Sequence, residues 1–216
     1  MLKVFHLWFE VKRPRLRTFI YEMIYSAAKL IDRSWCLPCP FKTDFIETRF
    51  GKFKVRPFTT DMASASPAFE RRDMDYLLRL GERLRKQGSK ILFLDIGADI
   101  GTFTITVGNR FRNYESMCIM AFEPAGSSYK LLKENIEQNG LAGKVEAFDF
   151  ALYNENGVEV GFQFNVKVPG RSGLRLEHVE GLRLEKVMAR TLDSVLFEKA
   201  KDFDVLIFKI GVGRSP

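Results

Sequence analysis

The chain has 216 residues, of which 46% are hydrophobic and 20 are Phe, a composition that supports a folded core and excludes a mainly disordered protein. The formal net charge is +7, and the whole excess lies in residues 1–60, which carry 12 Lys and Arg against 5 Asp and Glu. A basic segment of this kind suits an anionic membrane surface or a nucleic acid, and a solvated basic face is the alternative.

Helical spacing of apolar residues predicts the first element over residues 15–33. One stripe of this helix carries Phe19, Met23, Ala27 and Leu30. The longest apolar stretch, 18–31, is too short and too charged to span a bilayer, and the basic cluster follows the first apolar run, unlike in a secretory signal. We therefore predict a cytoplasmic protein in which residues 1–33 are a candidate for peripheral membrane contact. No aromatic-basic motif supports a nucleic-acid partner.

The next segment, SWCLPCP, resembles the WCxPC site of thioredoxin-like oxidoreductases through Cys36 and Cys39. The redox motif requires its first cysteine at a helix N-terminus after a strand, whereas this stretch follows a helical segment. One CxxC pair also supplies only half of a zinc site. We interpret the segment as a connector, with a redox or metal role as the alternative.

Alternating residues on either side of Gly51 predict a β-hairpin from DFIETRF and KFKVRPF. A second helix is predicted for SPAFERRDMDYLLRLGERLRKQG, with Ser66 as N-cap, Pro67 as the first helical residue and Gly88 after its end. These elements make residues 1–89 an N-terminal extension to a domain formed by residues 90–216.

From residue 90 onward, buried-type strands alternate with helices. The predicted strands are KILFLDI, SMCIMAF, KVEAFDF and DVLIFKI, and the helix SSYKLLKENIEQNG lies between the second and the third. This succession predicts a doubly wound, mostly parallel α/β sheet of Rossmann-like type. Ligands of such sheets bind at the carboxyl ends of the strands, where FLDIG lies.

The loop FLDIGADIGTFT has the wrong glycines for a dinucleotide fingerprint and no lysine for a P-loop. It places Asp95 and Asp99 on either side of Gly97, and two carboxylates oppose a diphosphate, because a like-charge pair 4 Å apart costs about 4 kcal/mol at an effective dielectric near 20. The loop therefore favours a cationic ligand, and S-adenosylmethionine fits. A dinucleotide oxidoreductase is the disfavoured alternative.

Two further acids end the following strands. Glu123 stands 28 residues after Asp95, where a doubly wound sheet places an acceptor for ribose hydroxyls. Asp149 is placed beside an adenine amino group, and Phe148 or Phe150 could pack on the ring. Acids at the ends of three successive strands support one ligand site.

At these residues the sequence resembles FkbM-type methyltransferases, through DIGADIG, the FEP of AFEPAG, and the TLD of RTLDSVL, over about residues 90–210. The resemblance implies a class I methyltransferase-like fold, S-adenosylmethionine as the donor, and O-methylation of a sugar, glycan or secondary-metabolite hydroxyl. The resemblance implies that Asp95, Gly97 and Gly101 line the methionine end of the cofactor and that Glu123 binds its ribose. Glu70 resembles an upstream acid of the family, with a surface helix acid as the alternative. Together with Ala98, Asp99, Asp149 and Phe150, which the strand-end positions suggest, these are the predicted cofactor-binding residues. No metal is implied.

The resemblance ends at KIGVGRSP, where Gly211 and Gly213 stand at positions that are acidic in the family. The chain is therefore expected to be either truncated, with a sheet incomplete at the C-terminus, or a catalytically silent cofactor-binding or scaffold relative that docks through its basic helix. The exposed edge of the last strand is a candidate for pairing with a second copy. Lys209 and His178 are the candidates for catalysis, His178 in a predicted hairpin-like insertion over the site.

Overall fold

The computed structural model describes residues 14–31, 43–166, 168–169, 172–174 and 182–211. The expectations for Cys36, Cys39, His178 and Gly213 concern residues outside these ranges. The helices are α1 (Pro14–Ile31), α2 (Asp61–Ser64), α3 (Arg71–Lys86), α4 (Thr102–Arg110), α5 (Gly126–Gln138) and α6 (Leu192–Leu196). The strands are β1 (Phe45–Thr48), β2 (Gly51–Lys54), β3 (Ile91–Ile96), β4 (Met117–Phe122), β5 (Val145–Phe148), β6 (Ala151–Leu152), β7 (Val158–Phe164), β8 (Gly173–Leu174), β9 (Arg183–Arg190) and β10 (Val205–Ile210).

The central sheet contains four parallel strands in the order β10-β3-β4-β5. The two inner strands, β3 and β4, are short apolar runs that are buried along most of their length, as parallel strands covered on both faces require. The outer strands β5 and β10 are only partly buried. The register sets Lys209 of β10 beside Asp95 of β3 and Asp95 beside Ala121 of β4. The predicted doubly wound, Rossmann-like sheet is confirmed.

Apolar residues cover both faces of this sheet. On one face, Ile91 and Phe93 pack in a large core with residues of α3, α4 and α5. On the other face, Leu92 and Leu94 pack with Leu196 of α6. Strands β4 and β5 follow on one side of β3, whereas β10 lies on its other side, so the strand order reverses between β3 and β10. Ligands of such sheets bind at this switch point, beyond the carboxyl ends of the strands.

A second sheet of four strands, in the order β6-β9-β7-β8, follows β5 along the chain. Strand β7 pairs antiparallel with β8 and β9, whereas β6 pairs parallel with β9. Its own small core contains Phe162, Phe164, Val187 and Ala189. The sequence predicts only a hairpin-like insertion here, and the structure extends that insertion to a complete small sheet.

The N-terminal extension shares a core with the domain that follows it. The predicted hairpin is confirmed as β1 and β2, and Asn135 of α5 both donates to the carbonyl of Lys54 and accepts from its amide. Phe53 of β2 is fully buried in the core that contains Phe93. Helix α1 is also confirmed, and it buries Thr18, Tyr21, Tyr25 and Ala28 rather than the predicted apolar stripe.

The start of the second helix differs from the prediction. Helix α3 begins at Arg71, after Glu70, whose φ of +42° is in the left-handed region. Ser66 is not the N-cap of this helix: its hydroxyl accepts from the amide of Ala68 in a separate turn. A residue in the left-handed conformation cannot continue a right-handed helix, so the turn and the helix are distinct.

Strand β10 lies at the edge of the central sheet and pairs only with β3 among the described strands. Its side chains Leu206, Phe208 and Ile210 are exposed on one face. The pairing of this edge with a second copy stays a prediction. None of the helices in the described ranges combines the length and apolar character needed to cross a membrane.

Candidate functional site

The glycine loop after β3 turns through three residues of positive φ. These are Gly97 at +73°, Asp99 at +48° and Gly101 at +91°. The amides of Gly97 and Ala98 both donate to the carbonyl of Phe122, at 2.9 Å and 3.0 Å, which ties the loop to the end of β4. Gly101 is then the N-cap of α4. The loop is therefore held by backbone bonds in a conformation that favours glycine.

Two of these positions leave no room for a side chain. A Cβ at Gly97 would lie 2.2 Å from the carbonyl oxygen of Gly211, which is backbone and cannot rotate away. A Cβ at Gly101 would lie 2.7 Å from Cδ1 of Leu132 in α5. The two predicted glycines thus let the loop approach the end of β10 and the face of α5.

Asp95 stabilises the loop through contacts with Thr104 and Lys209. Its carboxylate is fully buried, and Oδ2 accepts from the amide of Thr104 at 3.1 Å and from the hydroxyl of Thr104 at 2.7 Å. The ammonium of Lys209 lies 3.0 Å from Oδ1 as an ion pair, and it donates to the carbonyl of Gly97 at 3.0 Å. Asp95 is predicted to contact the ligand directly, whereas here its carboxylate contacts Thr104 and Lys209.

Lys209 crosses from β10 to the loop and lies over the ring of Phe103, with Nζ 5.2 Å from the ring centroid. Its contacts with Asp95 and Gly97 give it a positioning role for the loop. A Cβ at Gly211 would lie 2.5 Å from Nζ of Lys209, so an acidic residue at position 211 would displace this ammonium. The lysine conformation and the glycine at position 211 are therefore linked.

Glu123 follows β4 and is buried beside the loop. Oε2 accepts from the amide of Asp99 at 2.8 Å, and Oε1 accepts from the amide of Ala125 at 2.9 Å. Burial, and then the neighbouring carboxylate of Asp99, raise the pKa of Glu123 to about 8, against the opposing effect of the two amides. Glu123 is a buried acid that gains or loses a proton near neutral pH.

This pKa has a consequence for stability. The folded protein holds a proton on Glu123 that the unfolded chain releases above about pH 4.5, so the stability contribution present at low pH is lost as pH rises to about 8. We expect the free energy of unfolding to fall over this range by up to about 1.4 kcal/mol per pH unit more in the wild type than in Glu123→Gln. Urea unfolding of both proteins at several pH values measures this difference, and parallel curves would contradict the assignment.

Arg56 is a part of the site that the sequence does not indicate. From the end of the hairpin, its guanidinium donates to both oxygens of Asp61, at 2.7 Å and 3.0 Å, and to Oδ1 of Asp99 at 2.8 Å. It also donates to the hydroxyl of Ser128 at 3.0 Å, which itself donates to Asp99. Arg56 thus connects the N-terminal extension to the glycine loop and to the first turn of α5.

Two acids, Asp61 and Asp99, form ion pairs with the guanidinium of Arg56. Asp61 is fully buried, and burial, followed by the charge of Asp99, raises the pKa of its carboxyl against the lowering effect of Arg56. Asp99 keeps its left-handed backbone while its side chain bonds Arg56 and Ser128. No sequence motif has this spacing, so only the fold reveals the cluster.

Glu70 lies near Lys209, in the strained backbone conformation that precedes α3. Burial raises the pKa of its carboxyl, and the nearby Lys209 opposes this effect. Residues held in such conformations are concentrated at functional sites. The predicted upstream acid is therefore placed at the site, and its contact with a ligand stays a prediction.

A cavity of about 390 Å³ opens between these elements, within the size range of small-molecule sites. The predicted residues that line it are Gly97, Ala98, Asp99, Glu123, Phe150, Glu70 and Lys209. Asp95 and Gly101 lie behind the loop and are not part of the lining, and Asp149 is exposed to solvent and also outside it. Residues of the second sheet complete the wall, among them Phe162, Gly173 and Leu174.

An aromatic cluster forms the end of the cavity beyond β4 and β5. Phe122 stacks on Phe148 with ring centroids 5.0 Å apart, and Phe150 lies tilted against both. Of the two phenylalanines predicted to pack on a ring, Phe150 lines the cavity and Phe148 does not. The cavity thus has an apolar aromatic end and a charged end near Glu70 and Lys209.

No protein-family description matches the chain, and no curated protein does. Three solved structures are similar to parts of it. TYW2 of Pyrococcus horikoshii in complex with MeSAdo matches at 24% identity over 31% of this chain and 24% of its own, with a TM-score of 0.26. A candidate sarcosine dimethylglycine methyltransferase from Galdieria sulphuraria matches at 22% identity over 37% and 29%, with a TM-score of 0.28. A candidate transferase of Pyrococcus horikoshii matches at 18% identity over 62% and 49%, with a TM-score of 0.34.

The chain spans less than half of the length of each of these three structures. Because every TM-score lies below 0.5, the likenesses add nothing to what the sheet order and the cavity show directly. The fold is a Rossmann-like α/β sheet with an acidic cavity at its switch point.

Proposed function

We propose that this chain is the cofactor-binding domain of an S-adenosylmethionine-dependent methyltransferase. The observation that carries the proposal is the charge of the cavity. Its charged lining residues are Glu70, Asp99, Glu123 and Lys209, three carboxyl groups against one ammonium. Lys209 is paired with Asp95, and Asp99 is paired with Arg56, so a diphosphate would find no unpaired cation among these lining residues. The sulfonium and ammonium groups of a cationic ligand would instead meet the carboxyl groups of Glu70 and Glu123.

The residues present fit this cofactor. Glu123 at the end of β4 and Phe150 both line the cavity, which supports a carboxylate contact to the ribose hydroxyls and an apolar surface for the adenine ring. Gly97 and Ala98 let backbone pass close to the methionine end, near Glu70 and Lys209. When bound, the cofactor would supply an electrophilic methyl group, and its transfer to an acceptor hydroxyl would release a proton and the neutral thioether.

The acceptor class comes from the FkbM resemblance alone: a hydroxyl of a sugar, glycan or secondary metabolite. Within the described part of the chain, Lys209 is the catalytic candidate at the cavity, and its ion pair with Asp95 favours a positioning role. His178 remains a candidate for the general base by its chemistry only. Incubating the protein with glycan extracts and a cofactor that carries a radioactive methyl group would identify an acceptor as the labelled product.

A catalytically silent cofactor-binding protein is the second candidate. Gly211 favours it, since the end of β10 carries no acidic side chain and Lys209 occupies the space that one would need. Cofactor binding in calorimetry together with no labelled product from any extract would support the silent form. Labelled product would establish the enzyme.

The ionisation of Glu123 predicts how affinity for the cofactor depends on pH. Only the ionised carboxylate accepts from both ribose hydroxyls, and its pKa of about 8 means that binding must release a proton at lower pH. We expect the affinity to rise by up to about tenfold per pH unit between pH 6 and 8 and then to level off. Isothermal titration in buffers of different ionisation enthalpy measures the released proton.

Variants of Glu123 test the same contact. Glu123→Gln should weaken cofactor binding about 10- to 100-fold and remove its pH dependence, because a charge-assisted hydrogen bond is lost. Glu115→Gln, a change at an exposed acid, is the matched control and should bind as the wild type does. Equal affinity in Glu123→Gln and the control would exclude Glu123 from the ligand site.

A further inference from the structure

Helix α1 exposes a continuous apolar face. Successive residues of an α-helix lie about 100° apart around its axis. Viewed along this axis, the apolar side chains form an arc of about 140°, with Phe19 at one edge and Ile24 at the other. The large exposed members of this arc are Leu16, Phe19, Met23, Ile24, Leu30 and Ile31. Leu30 is 89% exposed and Ile31 is 76% exposed. We call these six residues the α1 face.

The opposite side of the helix packs on the protein. Thr18, Tyr21, Tyr25 and Ala28 are buried, and α1 contacts β1 and α2 there. Rotating the helix about its axis to bury the apolar arc would expose Tyr21 and Tyr25. The contacts with β1 and α2 therefore fix which face of α1 is turned to solvent. Every side chain of the α1 face keeps at least 45% of its surface exposed, although exposing so much apolar surface in one patch is costly in water.

Cationic residues lie along the Phe19 side of this face. A groove of about 620 Å³ next to the helix is lined by Phe19 and by two cations, Arg49 and Arg71, and two acids, Glu22 and Glu47. A second groove shares Arg49 and is lined by the α3 cations Arg79, Arg83 and Lys86, by Arg110 of α4, and by the acids Asp75 and Glu82. The two grooves together thus have six cations against four acids, and the excess of cations lies in the second groove. The apolar face is bordered on its Phe19 side by a surface of mixed charge with a net positive balance, which we call the basic border.

We propose that the α1 face and its basic border bind the surface of an anionic lipid bilayer, with α1 lying in the plane of the interface. Apolar side chains on one face and cations beside them are the features of interfacial helices. A second copy of the chain fits less well, because two-fold pairing of the α1 faces would bring the basic borders of both copies together. The inference does not depend on the cofactor.

Sedimentation with vesicles tests the proposal on the full chain. Vesicles of phosphatidylcholine with 30% phosphatidylglycerol, about a third anionic lipid, should bind the wild type at least about tenfold more tightly than phosphatidylcholine alone. The double variant Phe19→Ser, Leu30→Gln should lose at least about tenfold in affinity. Leu184→Gln with Met188→Gln changes two exposed apolar residues of β9 and should bind within about twofold of the wild type.

Replacing Arg49 and Arg71 with glutamine tests the basic border separately, with an expected loss of about tenfold for anionic vesicles. Three outcomes would overturn the proposal: equal binding to both kinds of vesicle, full binding by the Phe19 and Leu30 variant, or a lipid-free dimer that this variant dissociates. Analytical ultracentrifugation without lipid detects the dimer. Because all of these variants change exposed side chains, circular dichroism should show them folded.

Discussion

Replacing Arg56 with methionine should lower the free energy of unfolding by about 3 kcal/mol. The change removes the cation that bonds Asp61 and Asp99 and leaves the fully buried carboxylate of Asp61 without a charged partner. Removing one member of a buried pair is costly because the remaining charge stays desolvated. Urea unfolding followed by circular dichroism measures the loss.

Two variants make this result specific. Lys54→Met removes a cation of the same hairpin from a half-exposed pair with Glu134, and it should cost far less stability than Arg56→Met because solvent screens the pair. Adding Asp61→Asn to Arg56→Met should recover part of the lost stability, since the buried acid is then neutral. If Arg56→Met unfolds at the same urea concentration as Lys54→Met, the cluster does not stabilise the fold.

Gly97→Ala should destabilise the protein by about 2 kcal/mol or more and abolish cofactor binding. The backbone at this position has a φ of +73°, and the new Cβ would meet the carbonyl oxygen of Gly211 at 2.2 Å. Relief of this contact requires the loop after β3 to move away from the end of β10. The loop would then no longer present Ala98 and Asp99 to the cavity.

Gly126→Ala is the matched control for this change. Gly126 begins α5, has no positive φ, and a Cβ there would meet no atom within 4 Å. The control should be neutral or slightly stabilising, because alanine is the better helix residue. Thermal unfolding and cofactor titration of both variants separate the effects, and a neutral Gly97→Ala would refute the close packing of the loop on β10.

Much of the central sheet follows from local patterns. Strands β3 and β4 are short, nearly continuous apolar runs between polar segments, which is typical of buried parallel strands. The switch point and the strand-end position of Glu123 then follow from the topology of doubly wound sheets. The sequence alone therefore predicts that the glycine loop and Glu123 lie at one ligand site.

The residues that complete the site depend on contacts between distant parts of the chain. Arg56 reaches Asp99 across 43 positions, and nothing in the local sequence of either residue indicates the pair. Lys209 likewise meets Gly97 only because β10 returns beside β3. These two cations changed the interpretation of the loop: they neutralise Asp95 and Asp99, so Glu123 and Glu70 are the acids left to a ligand.

Local patterns also failed where packing competes with periodicity. The apolar stripe of α1 is real, but the helix buries Tyr21 and Tyr25 against the protein and exposes the stripe. Ser66 has the residue type of an N-cap, yet the left-handed Glu70 delays the start of α3 to Arg71. Sequence periodicity identifies an apolar face and does not show which surface covers it.

Calorimetric titration of the full chain with S-adenosylmethionine at pH 8 tests the central claim most directly. We expect saturable binding at one site and a proton released on binding when the titration is repeated at pH 7. In Glu123→Gln, binding should be about 10- to 100-fold weaker and should release no proton. A parallel titration with NADH should show no binding. A folded chain that gives no heat with S-adenosylmethionine, or that binds NADH instead, would contradict the proposed cofactor site.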